Sequence, residues 1–167
     1  MRKMEVLPYS SEFPNKFDRV KKKMYKVFGK KLSIHHIGST AVPGLAGKGI
    51  IDVLIGVKNW REGREIVKKL RHIGFYHVHP KEKGRIFLSN KEETMFGDVH
   101  IHIVRKKTKQ YNDLLNFRDY LIKHKMERKK YFETKIRLSE KVKGDRKKYT
   151  ILKGKYIKLV LHRIDKK

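Results

Sequence analysis

The segment Gly49–Val57, GIIDVLIGV, constrains the fold more than any other part of the chain. Its apolar residues run almost without interruption. That is the pattern of a strand covered on both faces, not of one alternating between core and solvent. Such a strand lies inside a sheet with packed layers above and below. One residue breaks the run. Asp52 sits between Ile51 and Val53, where a carboxylate is costly unless it is paired, hydrogen-bonded or on a metal ion. The plainer reading is that Asp52 lies near the strand end and caps a neighbouring helix.

The rest of the pattern builds around this strand. Phe13, Phe17, Val20, Met24, Val27 and Phe28 follow helical spacing, so residues 12–28 read as an amphipathic helix, with Gly29 at its C-cap. Residues 32–37 read as a short strand, and the Gly and Pro of Gly38-Ser39-Thr40-Ala41-Val42-Pro43-Gly44 as a loop. Asn59 caps a helix ending at Gly74. Strands are expected at 75–78 and 85–89 around a turn at 80–84. At 98–104, Val99, Ile101 and Ile103 alternate with Asp98, His100 and His102. After Arg105 the periodicity becomes helical, over 109–124, 127–142 and from Asp145 through Arg163. Strands early and helices late favour an α+β fold over an alternating parallel one. At 167 residues the chain reads as one domain, 1–104 holding the sheet and 105–167 the helical part.

Partners are bounded by charge. There are 44 Lys+Arg against 17 Asp+Glu, a formal net charge of +27. Residues 105–167 hold 23 basic and 7 acidic residues, the part before them 21 and 10, so the surplus is spread rather than gathered in a tail. A polyanion such as RNA, held through its phosphates, is one reading. A lysine-rich or heat-adapted proteome is the other. The exposed aromatics of a base-stacking module do not stand out. With no cysteine, disulfides, thiol catalysis and thiolate metal sites are excluded. No apolar run approaches the roughly 20 residues that span a bilayer. The opening residues lack the apolar core of a secretory signal. The expectation is a cytoplasmic protein without a membrane partner.

Three groups of residues carry candidate chemistry. Gly38-Ser39 after a strand leaves backbone N–H groups and a hydroxyl free for phosphate oxygens, with Asp52 on the next strand. Thr40 belongs to the same loop. Asp98, His100 and His102, at i, i+2 and i+4, share one strand face and could reach one divalent ion together with Asp52. Imidazole favours Mn, Zn or Fe, while Mg prefers oxygen. The plain alternative is a polar, solvated face, or a histidine bonded to backbone in the core. Arg118 falls in the apolar stripe of Tyr111, Leu114, Leu115, Leu121 and Ile122, where a guanidinium needs an anion. That anion is a buried acid or a ligand phosphate. Lys48 and Arg85 could serve the same phosphate. His36, just before the loop, could act as a base, or could hydrogen-bond the loop.

These residues also carry a family resemblance. HHIGSTAVPGLAGKGIIDVLIGV at 35–57 resembles the GrpB signature of His-Ile-Gly-Ser-Thr, Val-Pro-Gly-Leu and an Ile-Asp strand. HIHIV at 100–104 resembles that family's His-x-His strand, and FRDYL at 117–121 the start of one of its helices. The family resembles a branch of the nucleotidyltransferase fold superfamily. The resemblance implies a mixed sheet flanked by helices, a Gly-Ser loop for a triphosphate, and carboxylates holding metal ions for transfer of a nucleoside monophosphate; the divalent ion expected for this chain is Mg or Mn, with Zn the alternative. Asp52 and His36 are then the catalytic candidates. Gly38, Ser39, Thr40, Lys48, Arg85 and Arg118 are the phosphate candidates, and Asp52, Asp98, His100 and His102 the metal candidates. The chain departs from that pattern in one place: the second carboxylate of the usual Asp-x-Asp is Leu54. A two-metal clamp needs several carboxylates. A different site, or a fold that only binds, follows from that departure.

Overall fold

A computed structural model of the chain describes residues 7–77, 83–91 and 97–166. Among the described residues, five strands and five helices follow in the order α1 (Glu12–Phe28), β1 (Ser33–Ile37), β2 (Ile51–Val57), α2 (Trp60–His72), β3 (Tyr76–His77), β4 (Ile86–Ser89), β5 (Val99–Arg105), α3 (Lys109–Lys123), α4 (Lys125–Lys141) and α5 (Arg146–Asp165). The strands form one sheet in the order β1-β2-β5-β4-β3. β2 and β5 are parallel, and the other pairs are antiparallel. This is the expected α+β architecture: a mixed sheet flanked by helices, with a helical C-terminal part.

Local chemistry sets the element ends. Asn59 accepts a hydrogen bond from the Glu62 N–H at 2.9 Å and starts α2. Thr108 and Asp145 cap α3 and α5 through the N–H groups of Tyr111 and Lys148. Gly29 closes α1 at φ +72°. Part of the expected turn at 80–84, and Val78, lie outside the described residues. Asp98 falls just before β5 with an exposed side chain, although its carbonyl accepts from the Ile51 N–H.

Both faces of β2 are covered, as its composition demands. Val53, Ile55 and Val57 face α1 and α2 and pack on Phe13, Phe17, Met24, Ile66 and Leu70. Leu54 faces the other way, fully buried against Ile37, Val104 and Tyr111, under α3. A third cluster joins Val42, within the loop, and Leu45, just after it, to Leu121 and Tyr131 of the C-terminal helices. The second face is therefore divided. Leu54 lies in packed core, and Asp52, two residues earlier on the same face, lies at its open end.

Candidate functional site

Gly38 turns the chain at φ +74°, ψ −171°, from β1 into the single 3₁₀ turn Ser39–Ala41. That backbone region is essentially reserved for glycine. A second constraint acts on the same atom. A Cβ on Gly38 would fall 2.2 Å from Oδ2 of Asp52. The antiparallel register, with Ile37 opposite Asp52, brings turn and acid together. Gly47 closes the far side. A Cβ there would fall 2.3 Å from Ser39 Oγ and 4.0 Å from Lys135 Nζ, so hydroxyl and ammonium flank one point.

His36 faces the opposite side of the sheet from Asp52, since it pairs with Val53 and side chains alternate. Its ring stacks on Phe17 at 4.5 Å, and Nε2 lies 3.0 Å from Thr40 Oγ1. The Thr40 hydroxyl donates to the Ile50 carbonyl at 2.9 Å. A hydroxyl has one hydrogen, so His36 Nε2 must carry the proton shared with Thr40. Burial pushes His36 down to about 4, Asp52 opposing this and Arg118 assisting it. The ring is a neutral strut for the turn.

Parallel pairing sets His100 beside Asp52 and His102 beside Leu54, all on one face. Oδ1 of Asp52 lies 3.3 Å from His102 Nε2 and 3.4 Å from His100 Nδ1. Arg85 Nη1 lies 3.0 Å from the other nitrogen of His102, Nδ1. A guanidinium only donates, so Nδ1 is the acceptor and Nε2–H donates to Asp52. Burial would raise the Asp52 carboxyl, but the hydrogen bonds from His100 and His102 hold it below the usual carboxylate range. Burial lowers His102 and outweighs the pull of Asp52, so the ring is neutral. His100 Nε2 is buried and, among the described residues, has no hydrogen-bond partner.

Two lysines from the C-terminal helices face this cluster. Lys135 is 4% exposed; its ammonium donates to the Ala46 carbonyl and lies 5.1 Å from the Tyr131 ring centroid. Burial, with the charge of Lys153, brings it down to about 8. Lys153 rests 5.7 Å from the Tyr149 ring. Burial lowers it too, and it feels Asp52 and Arg85. Burial likewise raises the Tyr131 phenol, with Tyr149 and Asp52 adding to the effect. Lys153 thus lies in the field of the carboxylate, and Lys135 beside the Ser39 hydroxyl.

The sequence reading does not single out Lys135 and Lys153. A signal is present in the repeated Tyr-x-x-x-Lys, Tyr131/Lys135 and Tyr149/Lys153, at the i, i+4 spacing that sets two side chains on one helix face. The other expected residues sit as follows. Arg118 bonds Asp119 at 2.7 Å and the His36 carbonyl at 2.9 Å, tying α3 to the end of β1. The acid it needs comes from its neighbour in sequence. Lys48 is exposed and lies 5.1 Å from the Tyr149 ring, at the rim of the cluster. Asp98 is exposed and, among the described residues, makes no side-chain contact with the cluster.

A divalent ion here would need Asp52, His100 and His102 as donors. Among the described residues no three His, Asp or Glu side chains are arranged to hold one. The hydrogen bonding gives a reason. His102 already presents a proton, not a lone pair, to Asp52. Leu54 supplies no second carboxylate and is sealed in core. As bonded, the residues do not fit a catalytic Mg or Mn site.

Comparisons with known proteins agree with the fold. The family model described as GrpB protein matches residues 3–163. A UPF0157 protein, BH1888, of Halalkalibacterium halodurans is 32% identical over 140 residues, 81% of this chain and 69% of that one. The glutamate-rich protein GrpB of Alkalihalophilus pseudofirmus is 28% identical over 94% of this chain and 93% of its own. The crystal structure of conserved protein GrpB from Enterococcus faecalis superposes with a TM-score of 0.79 at 25% identity, covering 96% of this chain and 99% of that one.

Proposed function

This chain belongs to the GrpB protein family, and from that premise we propose that it binds a nucleotide or another phosphorylated small molecule at the Gly38-Ser39 turn. The observation that carries the reading is that Lys135 flanks the Ser39 hydroxyl, Arg85 bonds His102 beside Asp52, and Lys153 feels both Arg85 and Asp52, the carboxylate pressed against that turn. Buried like charges repel, and a bound polyanion relieves that repulsion. Phosphate oxygens would meet the turn and the Ser39 hydroxyl, beside Thr40, with the two lysines and Arg85 across from them and Lys48 at the rim. Arg118 would act one step removed, by holding the strand end in place.

Transfer of a nucleoside monophosphate is the finer form of this reading. The chain's own residues supply fixed cations for phosphate charge, and a carboxylate to orient an acceptor hydroxyl. No step is routed through a metal ion, because the side chains present do not fit one. A second reading, RNA as the polyanion, is favoured by the exposed Lys125, Lys129, Lys130, Lys155 and Lys158 on α4 and α5.

Calorimetry with the four ribonucleoside triphosphates and pyrophosphate, in EDTA, tests the proposal. Binding is expected for at least one, weakened about tenfold or more (about 1.4 kcal/mol) by Lys135→Met or Lys153→Met. If none of these probes binds, in EDTA or with Mn, the proposal fails.

A further inference from the structure

We propose that Arg85 is a positioning residue whose guanidinium fixes the His102 proton on Nε2, making Asp52, His100 and His102 a hydrogen-bonded relay closed to divalent metals. A carboxylate with two imidazoles is ordinarily a metal-ligating set. In such sites the ring nitrogen away from the metal donates its proton to a carboxylate or carbonyl, which leaves the other nitrogen's lone pair for the ion. Arg85 inverts that arrangement. It offers a donor where a metal-bound histidine needs an acceptor, at 3.0 Å from Nδ1. The proton is then at Nε2, the atom 3.3 Å from Asp52. A metal at that atom would require an imidazolate, or Nδ1–H aimed at a guanidinium.

The sheet holds this geometry. Phe87 pairs with His102 across β4 and β5, and its ring lies 5.0 Å from both imidazoles. The Arg85 guanidinium carbon lies 5.4 Å from the same ring. Residues 85 and 87 share a face by strand alternation, so guanidinium, phenyl and imidazole form one packed unit. His102 is engaged at both nitrogens. His100 is engaged only at Nδ1, its Nε2 being the buried nitrogen without a partner among the described residues. The two imidazoles are therefore unequal, and Arg85 makes them so. The inference concerns proton placement and metal exclusion, and it stands or falls separately from phosphate binding.

Two measurements on the full chain test it. Long-range proton–nitrogen correlation on nitrogen-15-labelled protein should find Nδ1 of His102 unprotonated and Nε2 protonated. Titration with Co2+, read by its visible absorption, should find no imidazole-bound ion in the wild type. Arg85→Met should let Nδ1 carry the proton once an ion occupies Nε2, and tighten Co2+ binding by on the order of 10–100-fold, the range over which outer partners alter metal affinity. Arg85→Lys, which keeps a donor, should restore the wild-type pattern. An Nδ1–H tautomer in the wild type overturns the inference, as does wild-type Co2+ bound through His102. An Arg85→Met protein that binds Co2+ no more tightly than the wild type removes the exclusion claim. If Arg85→Met does not fold, the wild-type spectra and Arg85→Lys still decide.

Discussion

Oδ2 of Asp52 lies where a side chain on Gly38 would have to go, 2.2 Å from that hypothetical Cβ. The acid and the turn are thus parts of one object, and the glycine is needed for room as well as for its backbone angles. Gly29 provides the control. It has nearly the same conformation, φ 72° and ψ 171°, with nothing within 4 Å of a built Cβ. Gly29→Ala should cost about 1–3 kcal/mol of stability through backbone strain alone, and leave ligand binding intact. Gly38→Ala carries the same strain and also displaces Asp52. Urea denaturation should register a larger loss for it, and calorimetry a loss of nucleotide binding. Equal losses with binding retained would separate the turn from the site.

Asp52→Asn keeps the shape and removes the charge. Without a bridging metal, the carboxylate repels a neighbouring phosphate, so the variant should bind nucleotide more tightly, on the order of tenfold (about 1.4 kcal/mol). If a divalent ion joined Asp52 to the phosphates, the same change would weaken binding and EDTA would mimic it. Calorimetry on both proteins, with and without EDTA, reads the sign directly.

Asp52 and Gly38 were legible in the sequence because each breaks a local rule, a charge in an apolar run and a glycine after a strand. The α+β order was legible because the period changes at Arg105 from two to 3.6. What stayed hidden depends on tertiary contact. The alternation at 98–104 groups Asp98 with the histidines, yet β5 begins at Val99 and only the histidines meet Asp52. His36 is adjacent to the turn in sequence, but pleating sends it to the other face, onto Phe17. Lys135 and Lys153 lie in a lysine-rich stretch where composition gives no contrast. Burial distinguishes them, and burial there follows from how α4 and α5 pack.

If RNA is the polyanion, affinity should fall steeply with salt. A single strand held through about six phosphates gives a slope near −4 in log K against log salt, from roughly −0.7 per phosphate. Asp52→Ala should leave that slope and affinity unchanged, since exposed lysines on α4 and α5 carry the contacts. Fluorescence anisotropy with an unstructured RNA across a salt series checks it. A flat profile would confine recognition to the small site.

Lys135 sets the expected pH behaviour. Burial holds its folded-state value down to about 8, against 10.5 as an ordinary lysine. Between these values the unfolded chain binds the proton that the folded chain has released, so folding stability from this group rises as pH climbs from about 8 towards 10.5. That contribution is lost as pH falls through 8, where the buried ammonium must be kept charged. Anion binding runs the opposite way. The charged form below 8 attracts phosphate and the neutral form above it does not, so nucleotide affinity should fall as pH rises through 8. Binding near that pH should also take up a proton, because a phosphate beside the ammonium raises its affinity for one. Calorimetry in buffers of different ionisation enthalpy measures that uptake. Lys135→Met should remove both the uptake and the decline in affinity above pH 8. An unchanged pH profile in that variant would assign the charge felt by the phosphates to Arg85 and Lys153 alone.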